Sequence, residues 1–389
     1  MRRDAAPLKA LTVRGPFRGP SGYDHHVREF VRELHRQGIR VQLLDVPQWT
    51  AAKLPNPLRD DLFESLDQPV ESNIVLHFTL PTHAQPWRGK RNVNFTMFEA
   101  SRIPIEWVRQ NQAHDLVILP AESSRHAWIA SGVDKERIRL CPLGIDPSRY
   151  LTALEPLELI LPTGKPVSQY RVRFLNVSEL SARKNLIGLL RTWLHATKPA
   201  DDAVLILKTG AWVPGAHDEF NAQLDAMQQK LGKRLKDSAP VLFIRRILAG
   251  AEMPKLYRTA THYISMSFGE GWDLAMMEAA ATGLKLIAPA HSAYQSYLDP
   301  STARLLTARE VPAVFHGDPA TAALFCHANW WEPDETEAVS AIRDAIDGMN
   351  EPTAGAQHRI LRDFTWEKAT ERLIGILAEV NRPVRRWFS

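Results

Sequence analysis

The sequence predicts an α/β protein built from two Rossmann-like αβα domains facing a cleft. Three observations predict it. At 389 residues the chain exceeds what one hydrophobic core organises. Short apolar stretches of strand length alternate with segments of helical periodicity, the pattern of a parallel sheet covered by helices. That pattern stops at residues 151–169, which carry Pro156, Pro162 and Pro166 without periodicity, and then starts again.

The elements follow in order. Residues 8–13 read as a buried strand, and the stretch Gly15-Pro-Phe-Arg-Gly-Pro-Ser-Gly22 as a turn. Val27, Phe30, Val31 and Leu34 then recur at helical spacing until Gly38 stops the helix, and 40–45 is a second strand. Strands are expected at 73–78, 93–97, 116–119 and 138–140, with helices at 107–113 and 123–131. After the break, strands fall at 173–177, 203–208, 241–244, 263–265 and 285–288, and helices at 186–195, 252–259 and 274–282. The domain reading is therefore 1–150, a linker at 151–169, a second domain at 170–366, and a C-terminal helix and tail at 367–389. Ligands of such sheets sit at the carboxyl ends of the strands.

Composition narrows the class. Hydrophobic residues make up 44% of the chain and charged residues 24%, as in soluble globular proteins. No run of about 18 apolar residues suggests a membrane span, and residues 1–10 lack the apolar segment of a secretory signal. Cys141 and Cys326 have neither metal-type nor redox-type spacing, so both read as buried small hydrophobes in a reducing cytoplasm. A net charge of +4 suits an anionic small molecule, a phosphorylated lipid surface or nucleic acid, and by itself does not decide among them. No motif points to nucleic acid, and no Asp-x-Asp segment stands at a strand end to hold a metal.

The most informative stretch is Ser267-Phe-Gly-Glu270-Gly-Trp-Asp-Leu-Ala-Met-Met-Glu278-Ala-Ala-Ala-Thr-Gly283. Gly269 and Gly271 let the backbone turn sharply beside a ligand. Asp273 is placed as a helix N-cap, Leu274 opens the helix and Gly283 ends it. A helix N-terminus offers unpaired N–H groups and partial positive charge, which suits a diphosphate. Glu270 before the helix and Glu278 on it can accept hydrogen bonds from sugar and ribose hydroxyls. Arg183 and Lys184, at a strand end before the helix near Asn185, can meet phosphate oxygens. The same spacing also fits surface acids around a strand–helix corner, and a solvated basic turn.

In these residues the sequence resembles retaining glycosyltransferases of the GT-B fold, specifically glycosyltransferase family 4. The E-x7-E element of that family resembles Glu270 to Glu278. Val177-Ser-Glu-Leu-Ser-Ala-Arg183-Lys184-Asn185 is similar to its phosphate segment, Pro142-Leu-Gly-Ile-Asp146 to its interdomain entry, and Asp363-Phe-Thr-Trp366 to the start of its final helices, which cross back onto the first domain. Gly15 to Gly22 fits its N-terminal glycine loop. The resemblance implies a metal-independent hexosyltransferase using a nucleotide-diphosphate sugar as donor and no cofactor. It implies that Glu278 binds ribose, that Glu270 contacts the donor sugar, and that Arg183 and Lys184 neutralise the diphosphate. Gly271, Trp272, Asp273, Leu274, Lys208 and Gly22 complete the expected donor and nucleotide contacts.

Departures mark the other wall. Ser178-Glu179 replaces a Gly-Arg pair common in the family, and the expected acceptor-side histidine is missing, leaving Glu99 and His77 as candidates. The acceptor implied is a glycan or lipid-linked glycan, as in bacterial surface polysaccharide synthesis. The tail, with Arg382, Arg385 and Arg386 beside Trp387 and Phe388, suits peripheral contact with the inner face of an anionic membrane, and equally a solvated chain end. A GT-B epimerase, a phosphorylase and a non-catalytic binding protein share this layout. The spacing of Gly15, Gly19 and Gly22 departs from G-x-G-x-x-G, against a dehydrogenase.

Overall fold

The computed structural model describes residues 8–46, 49, 58–151, 153–210, 215–315, 319–349 and 355–381. The tail residues 382–389, read from sequence as a membrane contact, lie outside them. The chain divides into two compact units, one formed by residues 1–144 with 364–389 and one by 145–363.

The first unit holds six parallel strands: β1 (Ala10–Arg14), β2 (Arg40–Leu44), β3 (Ile74–Phe78), β4 (Arg91–Phe95), β5 (Leu116–Leu119) and β6 (Ile138–Leu140), in the order β2-β1-β3-β4-β5-β6. β3 and β5 are almost entirely apolar and buried, as strands covered on both faces must be, and β1 is buried up to Arg14. The helix Gly22–Arg36 starts where the Ser21 side chain accepts from Asp24 N, and buries Val27, Phe30, Val31 and Leu34. The C-terminal helix Trp366–Val380 packs against it, with the Trp366 ring 5.3 Å from that of Phe30. Glycine is required at 144, because a Cβ there would run into the backbone of Thr365 and Trp366.

The second unit repeats the scheme: β7 (Val172–Glu179), β8 (Ala203–Gly210), β9 (Val241–Ile244), β10 (His262–Ile264), β11 (Lys285–Pro289) and β12 (Arg304–Leu306), all parallel, in the order β12-β11-β10-β7-β8-β9. Phe174, Leu189, Leu190, Trp193, Leu205 and Ile342 pack in its core. The buried Trp193 indole N–H donates to Ala239 O at 2.9 Å, so the ring is buried without an orphaned donor. The proline-bearing stretch 151–169 runs along this unit: Leu157 N donates to Lys255 O at 3.0 Å, and Ile160 bridges Pro166.

Two features differ from expectation. An antiparallel hairpin, β13 (Ala308–Pro312) with β14 (Asn329–Pro333), follows the sheet. Its first strand, Ala-Arg-Glu-Val-Pro, is largely exposed and carries no apolar run, so periodicity does not reveal it. Cys326, expected buried, is exposed; it sits at the turn before β14, where His327 has φ 61°. Among the described residues no helix is long and apolar enough to cross a membrane.

Candidate functional site

In the second sheet the strand order reverses between β7 and β10, and ligands of open α/β sheets bind beyond the carboxyl ends of the strands at such a point. Two loops leave there, one from β7 into the helix Leu186–Ala196 and one from β10 into the helix Leu274–Thr282. They clasp each other: Phe268 N donates to Arg183 O at 2.8 Å and Asn185 Nδ2 to Met266 O at 3.0 Å. Asn185 adopts the left-handed conformation (φ 49°) and caps its helix by accepting from Gly188 N. Asn is one of the few side chains that tolerates that backbone.

This clasp brings together three residues singled out from the sequence. Lys184 Nζ donates to Glu270 Oε1 at 2.6 Å, and Arg183 Nη1 lies 3.0 Å from Glu270 Oε2. Arg183 also donates to Gly269 O at 2.6 Å and approaches Glu179 at 3.7 Å, so the Ser178-Glu179 departure supplies it with a second acid. Glu270 is 4% exposed. Burial alone would raise its pKa, but Lys184 and then Arg183 reverse that, and the carboxyl is held below the usual carboxylate range.

The following helix adds the rest. Asp273 is its N-cap, at φ 64°, and its carboxylate accepts from Met276 N and from the Tyr294 hydroxyl at 2.8 Å. Burial, then the charge of Glu270, pushes the Asp273 carboxyl up. With Met276 N taken by the cap, the N–H groups of Leu274 and Ala275 have no acceptor within the helix. Trp272 is buried, its carbonyl accepting from the Tyr297 hydroxyl at 3.0 Å. Gly271 is enclosed beside it. Glu278 points from the helix to the Tyr257 hydroxyl at 2.7 Å; burial raises its pKa, opposed by Tyr257 and by the charge of Arg149. Lys208, at the end of β8, donates to Thr209 O at 3.2 Å, and burial followed by Arg246 lowers its pKa.

The loop after β11 also reaches the site, through residues whose roles no motif announced. Ser292 Oγ accepts from Glu270 N at 3.1 Å, and His291 and Tyr294 stand beside it.

Gly22, Glu99 and His77 belong to the first unit. Gly22 opens the helix Gly22–Arg36, after a loop organised from within: the buried Asp24 carboxylate accepts from Gly19 N at 2.7 Å and from the Ser21 hydroxyl. Glu99 is half-buried in the loop after β4, where its charge adds to the burial that raises the Tyr23 phenol. His77 does not reach solvent; it is 0% exposed in β3, 3.4 Å from Asn92 Oδ1 and ring to ring with His114, and burial lowers its pKa to about 4.

No protein-family model matches this sequence, and no curated protein is similar to it in sequence. Solved structures are similar in fold. HepE of Anabaena, in complex with UDP-glucose, is 15% identical with a TM-score of 0.65, covering 95% of this chain and 99% of that one. Sucrose-phosphate synthase from Thermosynechococcus elongatus is 14% identical with a TM-score of 0.65, covering 96% and 99%. The lipopolysaccharide outer core galactosyltransferase WaaB is 13% identical with a TM-score of 0.60, covering 96% and 100%. These are GT-B glycosyltransferases, and the two six-stranded parallel sheets with flanking helices give this chain the GT-B fold.

Proposed function

We propose that the chain is a retaining hexosyltransferase that moves a sugar from a nucleotide-diphosphate sugar to an acceptor hydroxyl without a metal ion. The observation that carries this reading is Glu270: a buried, ionised carboxylate at the switch point of the second sheet, held by Lys184 and Arg183 beside a helix N-terminus. A carboxylate so fixed is an acceptor for sugar hydroxyls, while the N–H groups of Leu274 and Ala275, with Lys184, suit the diphosphate. Glu278, further along the same helix, suits the ribose hydroxyls. The complex of HepE with UDP-glucose supports a donor of this kind.

In the reaction the bond from the anomeric carbon to the phosphate oxygen breaks and one to the acceptor oxygen forms on the same face. The acceptor proton passes to the departing phosphate. Lys184 and the helix N–H groups stabilise the leaving anion by preorganised charge, the part a metal ion would otherwise play. Arg183, more enclosed than Lys184, keeps Glu270 in place. On the acceptor side Glu99 is the candidate of the first unit. The acceptor we favour is a glycan or lipid-linked glycan at the cytoplasmic face of a membrane; WaaB, a lipopolysaccharide outer core galactosyltransferase, supports that class.

The test is a calorimetric screen of UDP-, GDP- and ADP-sugars, followed by transfer assays with and without a chelator. Glu270→Gln and Lys184→Ala each lower transfer at least about tenfold, the effect of losing one charged group at a transition state. Full turnover in both variants overturns the site; loss of activity in the chelator overturns metal independence.

A further inference from the structure

We propose that His291 and Ser292 are positioning residues for Glu270, fixing the stretch of backbone that carries the sugar-binding carboxylate. The inference rests on the donor-site reading above and adds which groups hold its sugar end as distinct from its phosphate end.

The hydrogen bonds form a closed chain. His291 Nε2 lies 2.8 Å from Ser267 O, and His291 Nδ1 lies 2.8 Å from Ser292 Oγ. A carbonyl oxygen only accepts, so the imidazole carries its proton on Nε2. His291 is 3% exposed, and burial lowers its pKa to about 4 against the opposing pull of Ser267 O and Glu270. At neutral pH the ring is therefore uncharged and Nδ1 is an acceptor. The hydrogen between Nδ1 and Ser292 is then the hydroxyl's own, which leaves the Ser292 oxygen to accept from Glu270 N at 3.1 Å. Each group has one direction in which it can point.

The consequence is mechanical. Ser267 and Glu270 bracket the loop leaving β10, and both are tied to one dipeptide of the loop leaving β11. Ser267 Oγ further reaches Arg183 O at 3.2 Å and Gly269 O at 3.1 Å, joining the β7 loop to the same network. Ser292 sits at φ 45°, a conformation that costs a serine backbone energy and is kept by the bonds around it. The imidazole plane is set by Trp331 of β14, stacked at 5.6 Å and 20°, so the hairpin absent from the sequence reading braces the relay from outside. The other titratable groups facing His291 are Glu270 and Tyr294. Tyr294 leads on to Asp273, and Glu270 to Lys184 and Arg183.

The phosphate end rests chiefly on the cap of the helix Leu274–Thr282, where Asp273 accepts from Met276 N and Tyr294 through bonds that do not pass through His291 or Ser292, while Lys184, bonded to Glu270, touches both ends. Loosening the Glu270 backbone therefore acts on the sugar and spares the nucleotide. The experiment compares affinities for UDP-, GDP- and ADP-glucose with those for the matching free diphosphates by calorimetry. It uses the full chain, Ser292→Gly and His291→Phe. Ser292→Gly removes the hydroxyl at a backbone angle glycine favours, and so folds even where His291→Phe does not. Expected is a loss of about tenfold in affinity for the nucleotide sugar the wild type binds, with the free diphosphate changed by less than about twofold, the scale of one or two directional hydrogen bonds. Variants that lose sugar nucleotide and diphosphate alike, or neither, overturn the role of His291 and Ser292. A wild-type chain that binds none of the panel overturns the donor-site reading itself.

Discussion

Replacing Glu270 by Gln tests the electrostatics of the site without any ligand. The carboxylate is 4% exposed and meets Lys184 at 2.6 Å and Arg183 at 3.0 Å. Gln keeps the shape and removes the charge, leaving two cations facing an amide. Removing one partner of a buried ion pair costs about 3–5 kcal/mol. Lys184 retains some access to water, so the low end applies, and about 3 kcal/mol lowers the Tm of a unit this size by roughly 6–12 °C. The pH dependence follows from linkage. The folded pKa of Glu270 lies below its unfolded value, so its contribution is full above the unfolded value, near about 4.3, and is lost as pH falls through the folded one. The gap between wild type and Glu270→Gln is therefore constant from pH 7 to about 5 and closes in more acid solution. Thermal unfolding followed by circular dichroism over that range reads it. A gap that is absent at pH 7, or that persists undiminished in acid, refutes the argument.

Further outcomes follow from the same kind of reasoning. Gly144→Ala forces a Cβ into the backbone of Thr365 and Trp366, which cannot move aside as a side chain can; a loss of about 1–3 kcal/mol in urea unfolding is expected, and unchanged stability would refute the close approach. His26 is wholly buried among Phe30, Phe78 and Phe95 with neither ring nitrogen partnered, and burial lowers its pKa to about 3. The unfolded chain therefore binds the extra proton first, and stability falls as pH drops from about 6.5 towards 3. His26→Phe flattens that part of the pH profile; an unaltered slope counts against it. Asn185→Ala and Asn185→Gly both lose the helix cap and the bond to Met266 O, but only alanine is strained at φ 49°, so Asn185→Ala is less stable than Asn185→Gly by about 1 kcal/mol. Equal losses in the two would show that the backbone angle is immaterial.

How much was legible in the sequence depends on how local the signal was. The strands Leu116–Leu119, Ile138–Leu140 and Val241–Ile244 and the helices Glu252–Thr259 and Leu274–Thr282 occupy the expected residues, because apolar runs, caps and glycine stops are written within a few positions of each other. The exposed hairpin around β13 carries no such run, and it stayed hidden. The same applies to Cys326, which stands exposed in the connection between the two strands of that hairpin.

By itself, the sequence determined the order of elements and the glycine-flanked corner that puts Glu270 ahead of a helix bearing Glu278. Only the tertiary structure decided that β10 lies beside β7, which brings Lys184 onto a carboxylate 86 positions away, with Arg183 beside it. It also decided that His77 is enclosed in a sheet, and that His291 and Ser292 take hold of the Glu270 backbone. The physical reason is that periodicity and capping are properties of neighbours along the chain. Strand order and the burial of a charge are set by packing between segments far apart in sequence.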